Sequence, residues 1–323
     1  MPDTAGHSSR DGSRPRVGIV VPTIGRPALL QRLFASLEAQ TMSVSAIVVA
    51  DQSNGTETAS VAAAWAPRLP VTVVNSHGGA SQGRNDGLAA LPACDVIAFP
   101  DDDCWYTPTT VADAIKELTA GHMAVSGRSL TPDNRKPSRV RSGNQPLTLD
   151  RRSIWTHALE YTCFFRREFF ETYGVFNVGL GVGCPTPWQS GEGTELLWRA
   201  FRQGASLGYS PRITIFDDAD TTPSSEAYLR KTREYARGTG RVIRMHQSRR
   251  EFAAAILRPA ARCSLDLLRL RLHTARLCLH IILGRCEGYT GRIFPVRRRK
   301  TPQAAGAKTS SGTGPSHTPD PLP

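Results

Sequence analysis

Three consecutive aspartates, Asp101–Asp103, follow directly after an apolar run in the stretch DVIAFPDDDCWY. Their mutual repulsion has to be offset, and carboxylate oxygens are the ligands that hard divalent cations such as Mg²⁺ and Mn²⁺ prefer. A pair of aspartates separated by one residue at the end of a strand can hold a metal that bridges a diphosphate. The alternative is a turn cluster in front of a helix that begins near Thr109, after Pro108.

The elements around these aspartates alternate between two hydrophobic periods. Short apolar runs predict strands, and runs with apolar residues three or four apart predict helices. The predicted strands are 17–21, 46–50, 71–74, 96–99 and 123–126, and the predicted helices are 27–37, 56–65, 84–91 and 109–118. This alternation predicts an α/β domain with a mainly parallel mixed sheet that is flanked by helices.

Polar residues occur where several of these strands end. Thr23 follows the first strand, Asp51 the second and Asp101–Asp103 the fourth. In parallel sheets, ligands bind outside the carboxyl ends of the strands. The coincidence of polar residues at three strand ends favours the metal interpretation of the aspartates over the turn interpretation.

Composition excludes several classes of protein. The 323 residues are sufficient for a large core. Seven cysteines without a CxxC pair argue against a zinc site or a disulfide framework and favour a reducing compartment. No signal peptide begins the sequence, and no run of about 18 apolar residues predicts a transmembrane helix.

The net charge of +12 is concentrated in one part of the chain. Residues 229–300 hold 19 Lys and Arg against 4 Asp and Glu, which is a net charge of +15, whereas residues 1–228 carry −3. A near-neutral body followed by a strongly basic segment predicts two functions in one chain.

The body resembles the family 2 glycosyltransferases, which have the nucleotide-diphospho-sugar (GT-A) fold. Six segments follow the family order over roughly residues 16–220: VGIVVPTIGRPALLQRLFASLEAQT, IVVADQSNGT, HGGASQGRNDGLAAL, FPDDDCWYTP, CFFRREFFETYGVFN and SGEGTELLWRAFRQG. The resemblance implies that the residues in contact with the nucleotide-sugar donor are Pro22, Thr23, Asp51, Arg84, Asn85, Asp101 and Asp102. It also implies Asp101 and Asp103 as ligands of Mg²⁺ or Mn²⁺.

The resemblance also implies a reaction. The sugar moves from a nucleotide-diphospho-sugar to a hydroxyl acceptor with inversion, while the metal stabilises the charge that grows on the leaving diphosphate. The attacking hydroxyl needs a carboxylate to take its proton. Family members often carry an acid where this chain has Gly193, so the base is expected to be Glu192 or Glu195, and Glu192 is preferred. The alternative is that both glutamates only stabilise the helix N-terminus.

Two further places are candidates for the same site. Trp188, beside the glycine-rich run Gly179–Gly183, could stack on a sugar or could anchor that loop. Asp217 and Asp218 stand where many family members have a histidine near the metal, and they could ligate a cation or form a surface turn.

The basic segment has its own periodicity. Apolar residues three or four apart from Leu257 to Ile282, with arginines on another face, predict one amphipathic helix of about 25 residues with Pro259 in its first turn. Such a helix, followed by the cluster Arg297–Lys300, is typical of an anionic membrane surface. One alternative is that the apolar face packs on the catalytic domain. Another is binding of nucleic acid, but the segment lacks the interleaved aromatic residues that would support it.

These observations predict a domain order: a disordered N-terminus at 1–15, a GT-A catalytic domain at 16–228, a basic helical membrane-interface region at 229–300 and a disordered tail at 301–323. The donor half of the catalytic domain spans about 16–128 and the acceptor half about 129–228. We expect a metal-dependent glycosyltransferase of polysaccharide or glycolipid synthesis, cytoplasmic and peripheral on the inner face of the cell membrane. Its expected partners are a nucleotide-sugar, a saccharide or lipid-linked acceptor and an anionic membrane surface bound by 257–300, but no nucleic acid. The alternative is a nucleotidyltransferase or a non-catalytic sugar-nucleotide-binding protein.

Overall fold

The computed structural model describes residues 14–132, 143–157, 159–218 and 225–294. The predicted tail at 301–323 and residues 1–13 of the predicted disordered N-terminus lie outside these ranges. The strands of the described residues are β1 (Val17–Thr23), β2 (Ala46–Asp51), β3 (Val71–Asn75), β4 (Val96–Ala98), β5 (Cys104–Tyr106), β6 (Ala124–Leu130), β7 (Leu147–Thr148), β8 (Phe164–Arg166) and β9 (Leu207–Asp217). The helices are α1 (Pro27–Glu38), α2 (Glu57–Trp65), α3 (Ala80–Ala90), α4 (Thr110–Leu118), α5 (Ile154–His157), α6 (Arg167–Tyr173), α7 (Glu192–Arg202), α8 (Glu226–His246), α9 (Arg249–Leu268) and α10 (Leu272–Thr290), with a 3₁₀ turn at Glu160–Thr162.

The strands form one mixed sheet in the order β3-β2-β1-β4-β8-β6-β9-β5, and β7 pairs with β9. The four strands β3, β2, β1 and β4 are parallel to one another. Antiparallel pairing begins where β8 joins β4, and β6 returns to a parallel pairing with β9. The predicted α/β class, with a mixed sheet flanked by helices, is therefore confirmed.

Strands β1 and β2 are buried along their whole length, as expected for parallel strands that are covered by helices on both faces. Their register places Thr23 directly beside Asp51 at the carboxyl edge of the sheet. Helix α1 begins at Pro27, whose fixed φ suits the first helical position. The predicted apolar face of α1 is confirmed, because Leu30, Leu33, Phe34 and Leu37 are buried.

Packing of aromatic rings joins the parallel and antiparallel halves of the sheet. Phe99, directly after β4, makes edge-to-face contacts with Phe165, Phe170 and Phe176, whose ring centroids lie 5.1–5.9 Å away. This geometry is the one that the ring quadrupoles favour. The chain therefore leaves β4 through a rigid core residue just before it reaches the three aspartates.

The prediction of one amphipathic helix near 259–283 is wrong in its continuity. The structure has two helices, α9 and α10, separated at Leu270, whose φ of 56° lies in the left-handed region. Pro259 lies inside α9 instead of in a first turn, because the helix already begins at Arg249 after a capping box of Ser248 and Glu251. No helix of the described ranges combines the length and the apolar character needed to cross a bilayer.

Helices α8 and α10 approach each other closely because glycines line their contact. A Cβ added at Gly284 or Gly288 of α10 would overlap backbone atoms of α8 at Arg233 and Arg237. On its other side, α8 meets the segment before α7, where a Cβ at Gly238 would overlap Ser190. Part of the basic segment thus packs against the α/β body through small residues.

Candidate active site

A cavity of about 780 Å³ opens at the carboxyl edge of the parallel strands. This volume lies within the range typical of pockets for small ligands. Residues from β1, α3, the loop after β4, the 3₁₀ turn, α7 and α8 contribute to its walls. Its charged and polar lining includes Thr23, Arg26, Gln52, Arg84, Asp101, Asp102, Asp103, Glu160, Glu192, Thr194, Lys231 and Tyr235.

Asp102 is the fully buried member of the aspartate cluster. Thr23 Oγ1 donates a hydrogen bond to Asp102 Oδ2 (2.6 Å), and Arg26 Nη2 lies 3.0 Å from Oδ1. Burial raises the pKa of Asp102 to about 6, although the Thr23 hydrogen bond and the Arg26 charge oppose that rise. This carboxylate fixes the loop after β4 to the end of β1.

Asp101 and Asp103 are more exposed and face the cavity. Arg84 Nη2 lies 2.7 Å from Asp101 Oδ1, and Arg26 Nη1 lies 3.3 Å from Asp103 Oδ2. The described residues contain no group of three His, Cys, Asp or Glu side chains that could together hold a metal ion. Two carboxylates still suit Mg²⁺ or Mn²⁺, because such ions often take their remaining ligands from water and substrate phosphates.

Arg84 occupies the centre of the cavity wall and is almost completely buried. Its guanidinium faces Asp101 at 2.7 Å, Glu192 Oε1 at 3.1 Å and Glu160 Oε1 at 3.6 Å. Burial alone would lower the pKa of Arg84, but the three carboxylates raise it above its ordinary value. Three negative charges therefore surround a single positive charge.

Glu160 is one cavity residue that sequence reasoning missed. It lies in the stretch LEYT, which carries no motif, and it reaches the cavity only because the 3₁₀ turn packs beside α7. Burial, and then the charge of Glu192, raise the pKa of Glu160 to about 7, while Arg84 opposes the rise. Arg26, Lys231 and Tyr235 were also missed, because they are separated from the aspartates in sequence.

Of four further residues predicted to contact the donor, two line the cavity and two do not. Pro22 and Thr23 line the cavity. Asn85 lies outside the described lining: its amide exchanges hydrogen bonds with the backbone of Phe176, with Nδ2 to O at 2.9 Å and N to Oδ1 at 3.0 Å. Asp51 is buried beside the cavity and accepts hydrogen bonds from Ser53 N (2.9 Å) and Oγ (2.5 Å).

The two predicted base candidates lie in different environments. Glu192 lines the cavity and pairs with Arg84, whereas Glu195 is outside the described lining. Glu195 pairs with Arg199 Nη2 (3.1 Å) and with His246 Nε2 (3.1 Å). Burial opposes ionisation of Glu195, but the hydrogen bonds from His246 and Arg199 lower its pKa below the ordinary value. Its position is that of an anchor between α7 and α8.

The glycine-rich loop before α7 reaches the cavity through Val182 and Gly183. Gly183 approaches Gly79 so closely that a Cβ on Gly79 would overlap it. Trp188 instead packs against the main core, and Arg241 lies over its ring at 5.7 Å. This placement favours the loop-anchor interpretation of Trp188 over sugar stacking.

Asp217 and Asp218 lie outside the described lining of the cavity. Asp217 ends β9, is buried, and accepts hydrogen bonds from Tyr161 Oη (2.7 Å) and Ser129 Oγ (2.9 Å). Asp218 is half-exposed, and Arg32 Nη2 donates to its Oδ2 at 2.5 Å. The surface-turn interpretation is wrong for Asp217, because hydroxyl donors hold its carboxylate inside the sheet.

A second, wider cavity of about 1380 Å³ adjoins the first and shares Gly191, Thr194 and Thr239 with it. Its walls combine apolar residues of α8, α9 and α10 with five arginines: Arg151, Arg152, Arg258, Arg262 and Arg285. Glu251 pairs with Arg151 at 2.9 Å, and Asp266 pairs with Arg262 at 2.9 Å. The cavity is therefore positively charged and partly apolar.

Leucines remain exposed where α9 meets α10. Leu268 is 81% exposed and Leu270 is 83% exposed, and Leu257, Leu265 and Leu272 are also exposed. Arg269 and Arg271 alternate with them along the chain. The apolar face predicted for this region is thus only partly covered by packing. The cluster Arg297–Lys300 lies outside the described residues.

The model of the glycosyl transferase family 2 matches residues 18–174. A mannosyltransferase from Pyrobaculum calidifontis, solved with GDP-Man and Mn²⁺, is 18% identical, with a TM-score of 0.61 over 86% of this chain and 88% of that one. TarS from S. aureus, as a fragment of residues 1–349, is 16% identical, with a TM-score of 0.55 over 87% of this chain and 93% of that one. Its complex with UDP-GlcNAc is 15% identical, with a TM-score of 0.52 over the same shares.

No curated protein sequence matches the chain. The structural similarity at these low identities establishes the fold, which is the GT-A fold. Together with the family match, it confirms the resemblance on which the sequence interpretation was based.

Proposed function

From the premise that residues 18–174 are a family 2 glycosyltransferase domain, we propose that this protein transfers a sugar from a nucleotide-diphospho-sugar to a hydroxyl acceptor with inversion. The observation that carries the proposal is the cavity at the carboxyl edge of the parallel strands. There, aspartates for a metal, a buried guanidinium and two further carboxylates face one space. Such an arrangement provides both an electrostatic partner for a leaving diphosphate and an acceptor for a proton.

The donor side is the part of the cavity formed by Thr23, Asp101 and Asp103. Asp101 and Asp103 would hold Mg²⁺ or Mn²⁺ together with the donor phosphates. The bound ion would supply Lewis-acid stabilisation of the diphosphate as it departs. Relatives of the same fold bind GDP-Man with Mn²⁺ and UDP-GlcNAc, which makes these two nucleotide-sugars the first donors to examine.

The acceptor enters from the second cavity, which joins the first at Gly191, Thr194 and Thr239. The arginines of its wall suit an anionic group such as a phosphate. The apolar residues between them, including Ala254, Ala255 and Ile281, suit a hydrocarbon chain. Among saccharide and lipid-linked acceptors, this chemistry favours a phosphate-bearing lipid-linked one.

The proposed site of action is the cytoplasmic, inner face of the cell membrane, in polysaccharide or glycolipid synthesis. The exposed leucines at the α9–α10 turn would enter the interface of the bilayer, while Arg269 and Arg271 contact anionic headgroups. Buried apolar surface and electrostatic attraction add in such binding. The protein would lie on the membrane surface beside its lipid-linked acceptor.

The test is turnover of GDP-mannose and UDP-N-acetylglucosamine, with and without Mn²⁺. We expect one of them to stabilise the protein against heat, and the protein to release the corresponding nucleoside diphosphate. With a phosphate-bearing lipid acceptor, the sugar should appear on the lipid with the opposite anomeric configuration. A nucleotidyltransferase would instead need added inorganic diphosphate and would convert the nucleotide-sugar to the nucleoside triphosphate and the sugar 1-phosphate. A binding protein would show the thermal shift without any product.

A further inference from the structure

Glu160 and Gly193 form a steric pair between two elements that are 33 positions apart in sequence. Glu160 opens the 3₁₀ turn, and Gly193 lies in the first turn of α7. A Cβ added at Gly193 would overlap the Cβ of Glu160 and would lie 2.5 Å from its Oε2. The glutamate side chain therefore fills the space that any side chain at residue 193 would need.

The backbone of Gly193 does not itself require glycine, because the residue lies in helix α7 and its φ is not positive. The absence of a side chain there is explained by space alone. Substitution of Gly193 in the presence of Glu160 forces a clash, whereas removal of the Glu160 side chain frees the position. The carboxylate at this point of the cavity can thus come from residue 160 or from residue 193, but not from both.

Glu192, the other glutamate beside Arg84, is held more tightly than Glu160. Glu192 lies 3.1 Å from Arg84 Nη1 and its side chain is only 7% exposed. Glu160 is 3.6 Å from Nη2 and its side chain is 20% exposed to the cavity. Asp101 pairs with Arg84 at 2.7 Å, and Asp102 is fully buried in its hydrogen bond with Thr23. Of the two glutamates beside Arg84, Glu160 is the more accessible to an acceptor hydroxyl.

We propose that Glu160 is the general base of the transfer, an assignment that rests on the proposed function. The acceptor oxygen forms a bond to the anomeric carbon of the donor and gives its proton to a carboxylate oxygen of Glu160. The bond from that carbon to the diphosphate oxygen breaks, and its electron pair leaves with the nucleoside diphosphate. Glu192 then acts through Arg84 as a positioning residue.

The surroundings of Glu160 agree with this role. The charged groups that face it are Arg84 from α3, Asp101 from the loop after β4 and Glu192 from α7, while Lys231 lines the cavity from α8. Burial among these groups raises its pKa to about 7. A base is most effective when its pKa lies near the working pH.

The first test compares Glu160→Gln with Glu192→Gln, using water as the probe acceptor and measuring release of the nucleoside diphosphate from the donor that the wild type turns over. Glu160→Gln should lower kcat by about 10²–10⁴-fold, which is the usual contribution of a general base. It should leave the Kd of the donor within threefold, because the base acts only on the acceptor proton. Glu192→Gln should change both kcat and donor KM by less than about tenfold, in keeping with a positioning role.

The second test exchanges the steric pair. Gly193→Glu alone should lower the unfolding midpoint, because the new side chain meets Glu160. Glu160→Gly alone should remove turnover. Glu160→Gly combined with Gly193→Glu should raise turnover at least tenfold above that of Glu160→Gly, because it returns a carboxylate to the same space. The matched control, Glu160→Gly with Gly193→Gln, should fold equally well and stay inactive.

The outcomes separate this inference from the proposed function. A wild type that turns over the donor together with an equally active Glu160→Gln variant would overturn the assignment of Glu160 and leave the transferase proposal intact. Loss of activity in Glu192→Gln alone would assign the base to Glu192. A wild type that turns over neither GDP-mannose nor UDP-N-acetylglucosamine and shows no thermal shift with either would count against the proposed function, and the inference would fall with it.

Discussion

Two buried charge clusters in this molecule are built in opposite proportions. In the cavity, the single guanidinium of Arg84 faces Asp101, Glu160 and Glu192. Between α8 and α10, the single carboxylate of Glu287 is completely buried and pairs with Arg233 and with Arg237, the latter at 2.7 Å. The first cluster has an excess of negative charge and opens to a cavity, whereas the second has an excess of positive charge and is enclosed by helices.

The difference shows how ion pairs between arginine and carboxylate serve separate purposes in the two clusters. Each Glu287 oxygen accepts hydrogen bonds from arginine, so the pair closes the contact between α8 and α10 and is saturated. The Arg84 cluster cannot be neutralised in the same way, because one positive charge faces three carboxylates. Burial, and then the surplus negative charge of Glu192, raise the pKa of Glu160. Perturbed carboxylates that face a cavity are typical of reaction sites.

The largest effect is expected from removing the centre of the cavity cluster. Arg84→Met should abolish turnover and lower the free energy of unfolding by about 3–5 kcal/mol at pH 8, because buried carboxylates lose their partner. At pH 6 the loss of stability should be smaller, since the unpaired carboxylates take up protons. Urea unfolding at both pH values measures this, and an equal loss at both would show that the carboxylates stay ionised without Arg84.

The corresponding change in the enclosed cluster should separate stability from activity. Glu287→Gln removes the carboxylate that pairs with Arg233 and Arg237 inside the molecule and should cost about 3–5 kcal/mol of unfolding free energy. Turnover per folded molecule should change less than fivefold, because Glu287 does not line the cavity. If turnover falls as steeply as stability, the enclosed cluster also sets the position of the α8 residues that face the donor.

Removal of a metal-binding carboxylate should act on chemistry with little change in folding. Asp103→Ala should lower nucleoside diphosphate release by about 10²–10³-fold, comparable with the loss of one group that stabilises transition-state charge. The thermal midpoint should stay close to that of the wild type, because the Asp103 side chain is part-exposed. Asp113→Ala in α4 is the control. Full activity of Asp103→Ala, or of the wild type in excess EDTA, would remove the metal role.

The raised pKa of Glu160 also predicts a dependence of stability on pH. Between its ordinary value of 4.5 and about 7, the folded state binds more protons than the unfolded state, so stability falls as the pH rises through this window. The fall should be on the order of 2 kcal/mol, after allowance for the partial exposure of the side chain. Glu160→Gln should remove it. Parallel pH profiles of the two proteins would show that the Glu160 carboxyl titrates normally.

The smallest effect is expected at the exposed tip of the helical region. Leu268→Ser with Leu272→Ser should weaken binding to anionic vesicles about tenfold, because each partly buried leucine contributes about 0.7 kcal/mol. High salt should weaken binding further without abolishing it in the wild type. Val175→Ser, on the exposed surface of the body, is the control. Equal sedimentation of all three proteins would leave the leucines without a membrane role.

Much of the fold could be predicted from the sequence because its signals are local. The apolar runs of β1 and β2 and the spacing of Leu30, Leu33, Phe34 and Leu37 each arise within one element. The division between α9 and α10 could not be predicted in the same way. The hydrophobic period continues across Leu270, and only the return of α10 onto α8 through Gly284 and Gly288 requires a break there.

The site was predictable in part for the same reason. Thr23 and Asp101–Asp103 follow strands whose ends must meet at one edge of the sheet, so their proximity follows from topology. Asn85 was assigned to the donor from its motif, but its amide satisfies the backbone of Phe176. A motif identifies the residue and its neighbourhood, whereas the direction of the side chain depends on which unsatisfied backbone groups lie nearby.

The sequence by itself determined the α/β body, the carboxylate-rich edge of the sheet and the segregation of positive charge after residue 228. The tertiary structure alone decided which charges share a buried space. Arg84 meets Glu160 and Glu192 from elements 76 and 108 positions away, and the side chain of Glu160 occupies the volume that Gly193 leaves empty. The physical reason is that Coulomb energies and steric exclusion depend on distance in space and on burial, and neither quantity is encoded in the spacing of residues along the chain.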